Sequence, residues 1–469
     1  MSAVSQPSYE ELAGLVVAQS ERIVLLEARV AELEAKLGSN SRNSSRPPSS
    51  DSPFVKPEPK SLRGRSGRKP GGQLGHEGRT LRQVANPDKV VVHRPSACAG
   101  CGAHLAGAVE RGVETRQVFD IPKIKVSVTE HRIVTVRCRC GHDTPGVAPA
   151  GVGAPACYGP NAAAFATYLY AGQFLSVKRT AQALEELFAT PLSPGTVVAM
   201  TRRAAAAVRA SGVLEVIREK LRGARVAHFD ETGLRVAGKL AWVHSASDEH
   251  WSLITVHPKR GIEGMTHAGV LPAFTGVAVH DAWCAYDAFT GATHALCNAH
   301  VLRDLAAAFD KAPATEWHWA RQAHDAIVAL KKLVDQAKAE GRTSIEPTHT
   351  ARHIDLIHSA AGIGANIPGH GYLAKRQRGL ARRLLTRKHD YQRFLQDGFA
   401  VPWDNNAAER EIRMIKLRQK ISGCMRTLQG ARDFTDIRSY TATAAKHGIN
   451  LIDALTTLTA GHPWQPTTS

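Results

Sequence analysis

Residues 225–283, RVAHFDETGLRVAGKLAWVHSASDEHWSLITVHPKRGIEGMTHAGVLPAFTGVAVHDAW, decide the fold. Within them RVAHFDE, LAWVHSAS, HWSLITVH and, after a helical interval from Lys259 to Leu271, GVAVHDAW each read as a strand. All four are short, rich in β-branched and aromatic residues, and bounded by turn residues. THALC, residues 293–297, follows a short helix and reads as a fifth. Three consecutive hairpin-linked strands, then a helix and a strand returning beside the first, bring the ends of the first and fourth strands together. Those ends carry Asp230 and Asp281.

This strand order is that of a ribonuclease H-like sheet. A period of two sends the consecutive acids Asp230 and Glu231 to opposite faces, so only one can face a shared site. Asp230 follows the inward-alternating set and is preferred, although a bulge at the strand end would reverse the choice. Asp287 lies beyond its strand, in the following helix, which favours Asp281. A third acid, Glu409 in DNNAAER, stands just inside a helix opened by Asp404, Asn405 and Asn406, read as turn and cap residues. Glu411 points about 200° away around that helix and cannot share the site. Carboxylates delivered from strand ends and one helix suit hard divalent cations, Mg²⁺ or Mn²⁺, with positions left open for phosphate. The expectation is a metal-dependent phosphoryl-transfer enzyme, with Asp230, Asp281 and Glu409 both catalytic and metal-binding.

The rest of the chain divides around this core. Residues 311–400 read as an all-α insertion between its two parts, 223–310 and 401–469, and carry Arg376, Arg378, Arg382, Arg383, Arg387 and Lys388, a density suited to a phosphate backbone. Residues 156–222 read as helices: Pro160–Gln173, then VKRTAQALEELFA, a TPLS turn, and PGTVVAMTRRAAAAV with Ser193 as N-cap and Pro194 at its first position. That is a helix-turn-helix-like arrangement, with Arg202 and Arg203 available to phosphate. Residues 86–155 alternate apolar and polar residues in KVVVHRP and VSVTEHRIVTVRC, which suggests a small β domain. Cys98-x2-Cys101 and Cys138-x-Cys140 at its ends match a zinc ribbon with structural Zn²⁺. The one-residue spacer is tight, so His142 or His104 could replace a cysteine. Cys157, Cys284, Cys297 and Cys424 have no paired spacing and read as ordinary thiols.

At the N-terminus, residues 1–38 hold a heptad pattern in which Tyr9, Leu12, Val16, Gln19, Ile23, Leu26, Val30, Leu33 and Leu37 fall on successive a and d positions. Arg22 and Arg29 at g would face Glu27 and Glu34 at e of a parallel partner. A coiled-coil dimer is expected, ended by Gly38. Residues 39–85 are a Ser/Pro-rich linker followed by a basic Arg/Gly arm.

The net charge of +18 is concentrated. Residues 39–80 hold nine Lys/Arg against three Asp/Glu, and residues 374–438 hold sixteen against seven. Two such regions point to a polyanionic partner. No apolar run reaches the roughly 18 residues of a membrane span, and the polar N-terminus is no signal peptide. The expected location is the cytosol, where close cysteine pairs bind metal sooner than they oxidise.

Together these motifs resemble transposases of insertion sequence family 66, of the DDE class. The resemblance rests on the zipper, the SNSRNSSRPPSSD linker, the GGQLGHEG arm, the cysteine pairs, HFDETG, HDAWCAYD, CNAHVLRDL and DNNAAEREIR. It implies a multidomain α+β protein with a ribonuclease H-like core, in which Asp230, Asp281 and Glu409 hold two Mg²⁺ for DNA nicking and strand transfer. It also implies that Arg410, Arg413, Lys416 and Arg418 neutralise phosphate, that transposon ends and target DNA are the partners, and that the nucleoid is the place of action, with accessory proteins of the same element. Cys297 and His300 match a Cys-x-x-His pattern seen in several transposase families. The alternative is a catalytically inactive, transposase-derived DNA-binding protein.

Overall fold

The computed structural model describes residues 8–38 and 81–466, apart from 123, 125, 311–315 and 370. The linker and most of the basic arm lie outside them. Two compact units are present, one of residues 59–128 and one of residues 1–58 with 129–469. Their division falls inside the segment read from sequence as one small domain.

Helix α1 spans Tyr9–Leu37. Ser8 starts it with a capping box: its hydroxyl accepts from the Glu11 amide, and the Glu11 carboxylate accepts from the Ser8 amide. Leu12, Val16, Ile23, Leu26, Val30 and Leu33, spaced for a zipper, are all exposed. Arg29 pairs with Glu32 within the helix, at 2.7 Å.

In the smaller unit, the Gln117 side-chain amide exchanges two hydrogen bonds with the Val84 backbone, each 2.8 Å. The strands expected in KVVVHRP do not form, and Val90, Val91 and Val92 are exposed extended chain. VSVTEHRIVTVRC, which crosses the division after Val128, yields only β1 (Thr135–Arg137), paired antiparallel in the larger unit with β2 (Asp143–Pro145). The apolar residues of these segments are exposed, and alternation without a covered face does not make a sheet.

Helices α2 (Pro160–Thr167), α3 (Val177–Phe188), α4 (Pro194–Ala210) and α5 (Val213–Arg222) follow. The first passes into a π-helical turn at Tyr168–Gly172. Ser176 and Ser193 cap α3 and α4 by accepting from the Arg179 and Thr196 amides. Next come β3 (Val226–Val236), β4 (Lys239–Ser247), β5 (Ser252–His257), α6 (Ile262–Ala268), β6 (Val277–His280) and β7 (Thr293–Leu296). They form one sheet in the order β5-β4-β3-β6-β7. The first three strands are antiparallel hairpins, and β3, β6 and β7 run parallel. The fourth strand therefore lies beside the first, as the hairpin pattern requires.

After α7 (Asn298–Phe309), the insertion contributes α8 (Trp319–Ala339), α9 (Pro347–Ala365), α10 (Tyr372–Thr386) and the short α11 (Lys388–Gln392). It has its own apolar core around Trp319, Leu330, Ile357 and Leu384, which runs on into Val301 and Leu305 of α7. A Cβ at Gly364 would sit 2.5 Å from the Trp319 ring, so α9 and α8 approach too closely for any side chain there. The chain then returns as α12 (Asn406–Ser422), α13 (Leu428–Lys446) and α14 (Leu451–Thr459).

Helices α4, α5, α13 and α14 share one core with the sheet, including Val208, Ile217, Phe229, Phe274, Phe434 and Tyr440. The Ser439 hydroxyl meets the Ile254 amide at 2.8 Å, and Thr443 meets Ser252 at 3.2 Å, so α13 covers the free edge of β5. Among the described residues no helix is long and apolar enough to cross a membrane.

Candidate active site

The parallel ladder pairs Val226 with Val277, Ala227 with Ala278 and His228 with Val279. Continued along the same offset past the end of β6, it sets Asp230 level with Asp281. Asp281 begins the loop: its carboxylate accepts from the Trp283 amide at 2.9 Å, and Ala282 takes a left-handed φ of 71°. The turn thus holds the carboxylate at the strand end.

Alternation along β3 buries Ala227, Phe229 and Glu231 more deeply than Val226, His228 and Asp230. The expectation that Asp230 follows the more buried set is therefore reversed. What separates the two acids is their surroundings. One Glu231 oxygen accepts from Arg260 at 2.6 and 3.0 Å, and the other accepts from the Tyr286 hydroxyl at 2.7 Å. Arg260 is itself held over the Trp283 ring at 4.0 Å and the Trp242 ring at 4.8 Å. Glu231 is thus committed to a structural network, whereas among the described residues Asp230 accepts only from the adjacent Glu231 amide.

Asn405 brings the third acid to this place. Its side-chain amide donates to the Phe229 carbonyl at 2.8 Å, so its oxygen is left to accept from the His228 Nδ1 at 2.9 Å. Its backbone amide meets Cys297 Sγ at 3.2 Å, and the residue is fully buried. Asn405 therefore holds the N-cap position of α12 without making a side-chain cap bond. Asp404 does that work, accepting from the Asn406 amide at 3.0 Å. Asn405 instead fastens the start of α12 to β3, one turn before Glu409. We predict that Asn405→Ala, which strands a buried carbonyl and a buried ring nitrogen, lowers stability by about 2–4 kcal/mol, read from the urea midpoint.

Glu409 is half-buried, with one oxygen 3.4 Å from Arg303 and 3.7 Å from the His300 Nε2. Glu411, on the other side of α12, accepts from Ser252 at 2.8 Å and stands 3.5 Å from Lys446. The two glutamates diverge, as helix geometry demands.

The electrostatics tie the three acids together. Burial, then the charges of Glu231, Asp281 and Glu409, hold the Asp230 carboxyl well above the usual carboxylate range. Burial raises Glu409 as well, against the lowering pull of Arg303. Tyr286, fully buried, feels Glu231, Asp230 and Asp281 together and is raised well above its ordinary value. An all-oxygen set whose charges repel one another fits a hard divalent cation, which would offset that repulsion. Residues 156–433 match the family described as Transposase IS66 family.

The chain belongs to the IS66 transposase family. Residues 95–141 of this IS66-family chain also match the zinc-finger binding domain of transposase IS66, and residues 5–82 match DUF6444, a family of unknown function. No curated protein matches the chain. The zinc-finger match includes Cys98, Cys101, Cys138, Cys140 and His104, ends before His142, and supports a structural zinc.

Each cysteine pair, taken separately, fits that ion. Gly102 donates its amide to the Cys98 carbonyl at 2.9 Å, and the Cys101 and Gly100 amides lower the Cys98 thiol. Gly141 likewise turns back to the Cys138 carbonyl at 2.9 Å, and the Cys140 amide lowers the Cys138 thiol. Backbone amides directed at sulfur favour the thiolate that zinc requires.

The basic residues of the IS66-family chain fall into two groups. Arg202, Arg203, Arg376, Arg382, Arg410 and Arg413 are exposed. Arg378 donates to the Ile367 and Gly369 carbonyls, Arg383 pairs with Asp304 at 2.7 Å, and Lys416 donates to the Gly233 carbonyl at 2.8 Å. Arg418 is buried, donating to the Gly423 carbonyl beneath the Tyr170 and Phe434 rings. These four guanidinium and ammonium groups are occupied by the protein itself. Arg260 and Tyr286 carry no sign in the sequence beyond the place of Tyr286 inside HDAWCAYD, and Asn405 reads there only as a turn and cap residue.

Proposed function

We propose that this protein is an active DDE-class transposase that cuts DNA and joins it to a target, using Asp230, Asp281 and Glu409 around Mg²⁺ or Mn²⁺. The observation that carries this reading is the parallel offset that sets Asp230 level with Asp281, with Glu409 close enough to raise the Asp230 carboxyl. The strand order supports a ribonuclease H-like core. When bound, Mg²⁺ would polarise the scissile phosphate and ease ionisation of the attacking oxygen, water for nicking and a 3′-hydroxyl for strand transfer. Asp230 and Asp281 hold the charge at the strand ends, and Asn405 fixes the approach of Glu409. Arg410 and Arg413, exposed on the same helix as Glu409, meet phosphate, and Arg202, Arg203, Arg376 and Arg382 extend the contact along the duplex. The exposed apolar seam of α1 supports pairing of two chains through a parallel coiled coil, which would hold two transposon ends together. Cys98, Cys101, Cys138 and Cys140 are the proposed zinc ligands.

The test is incubation of the full chain with duplexes carrying the ends of its own element, a target plasmid and Mg²⁺. Ends joined to target support the reading. Ends bound but never cut would make this an inactive transposase derivative, and cutting without joining would make it a nuclease.

A pH dependence follows from Asp230. In the unfolded chain this carboxyl loses its proton near the ordinary value of about 3.9. In the metal-free fold it keeps the proton to a higher pH. The associated stability is therefore present below the ordinary value and is lost as pH rises toward the raised one. Mg²⁺ competes with that proton, so the rise in Tm on adding Mg²⁺ should grow with pH and vanish in Asp230→Asn. Thermal scans across pH, with and without Mg²⁺, check this.

A further inference from the structure

Cys297 caps α7 and His300 stands in its first turn, so helix geometry turns both toward the same side. Glu409 approaches them from α12. One ligand atom from each of Cys297, His300 and Glu409 lies within 4.8 Å of the other two. The donors are sulfur, imidazole nitrogen and carboxylate oxygen, a mixture that hard Mg²⁺ does not select and that borderline ions such as Zn²⁺ do.

Two further observations point to a ligand. The His300 ring has no hydrogen-bond partner at its buried Nδ1, and its Nε2 is 3.7 Å from Glu409, beyond hydrogen-bond distance. A part-buried imidazole with neither nitrogen hydrogen-bonded can donate to an ion. Cys297 Sγ, itself buried, receives the Asn405 backbone amide at 3.2 Å; burial pushes its thiol up to about 12, so an ion would bind there by displacing the thiol proton. Arg303 holds the Glu409 oxygen only loosely, at 3.4 Å, and a divalent ion would take its place.

We propose that Cys297, His300 and Glu409 form a binding site for a transition ion of zinc type, and that its occupation withdraws Glu409 from Asp230 and Asp281 and so inhibits DNA cleavage. Three protein ligands leave a fourth position for water, which makes the site reversible and accessible to exchange. The binding half stands on these residues alone. The inhibitory half rests on the metal-dependent cleavage proposed above.

The experiment uses the full chain with its zinc finger loaded, titrated with Co²⁺ and followed by absorption. The wild type should take one equivalent more than Cys297→Ala and His300→Gln, with sulfur-to-cobalt charge transfer from a single thiolate and intense tetrahedral bands in that last phase. Glu409→Gln should bind the extra equivalent at least about 10-fold more weakly. Equal stoichiometry in wild type and variants would overturn the site. If the variants do not fold, the wild-type titration decides by itself, since the absence of a single-thiolate phase overturns the site equally. In Mg²⁺ cleavage assays, Zn²⁺ should inhibit the wild type and require about 10-fold more to inhibit His300→Gln. Binding of the extra ion without inhibition would overturn the inhibitory half. Binding of the extra ion by a protein that never cuts DNA would sustain the site and remove the functional reading instead.

Discussion

Asp230→Asn should abolish Mg²⁺-dependent cleavage of transposon ends, by on the order of 10³-fold or more, while leaving end binding unchanged. The carboxylate is lost but the shape is kept, and the amide oxygen can still accept from the Glu231 backbone at the 2.9 Å now observed. The exposed arginines proposed to meet phosphate are untouched. Stability should move the other way. Asp230 is a carboxyl raised by burial and by three neighbouring acids, so neutralising it removes repulsion and should stabilise the metal-free protein by roughly 1–2 kcal/mol. A gel-shift assay, a cleavage assay and a urea curve on one variant therefore read three different outcomes. Wild-type cleavage by Asp230→Asn would remove Asp230 from the site.

Glu231→Ala should behave in the opposite sense, although the residue is adjacent. It removes the partner of Arg260 and the acceptor of the Tyr286 hydroxyl together. Breaking a buried ion pair from one side costs about 3–5 kcal/mol; here the lower end, about 3 kcal/mol, is expected because the Arg260 side chain is 38% exposed and keeps some water. Glu231→Gln, which can still accept from the hydroxyl, should lose less. The denaturant midpoint measures both. Glu231→Ala unfolding at the wild-type midpoint would show that this network does not hold β3 against the Trp283 loop, and would reopen the choice between the two acids.

The sheet was legible because hairpin strands state their own neighbours: LAWVHSAS and HWSLITVH follow the first strand too closely to pair elsewhere. Ser193 was legible because a cap acts within three residues of itself. Asn405 was not, because its partners His228 and Phe229 lie far away in the chain and its type suits a cap equally well. Arg418 failed for the same reason: a run of charges on a helix shows nothing of the Tyr170 and Phe434 rings that cover one of them. The valines at 126, 128, 134 and 136 alternate as a strand does, yet alternation specifies a strand only when one face is covered. The pairing of Glu231 with Arg260 needed the fold, since only the hairpins and the following loop bring Trp242, Trp283 and Arg260 together.

The central claim is that Asp230, Asp281 and Glu409 share metal ions. Crystals of the full chain soaked in Mn²⁺ and measured for anomalous scattering test it most directly. Density is expected between the Asp230 and Asp281 carboxylates, with Glu409 drawn in as a ligand, and should disappear in Asp230→Asn. Mn²⁺ bound elsewhere, or bound at the same position in Asp230→Asn, would contradict it.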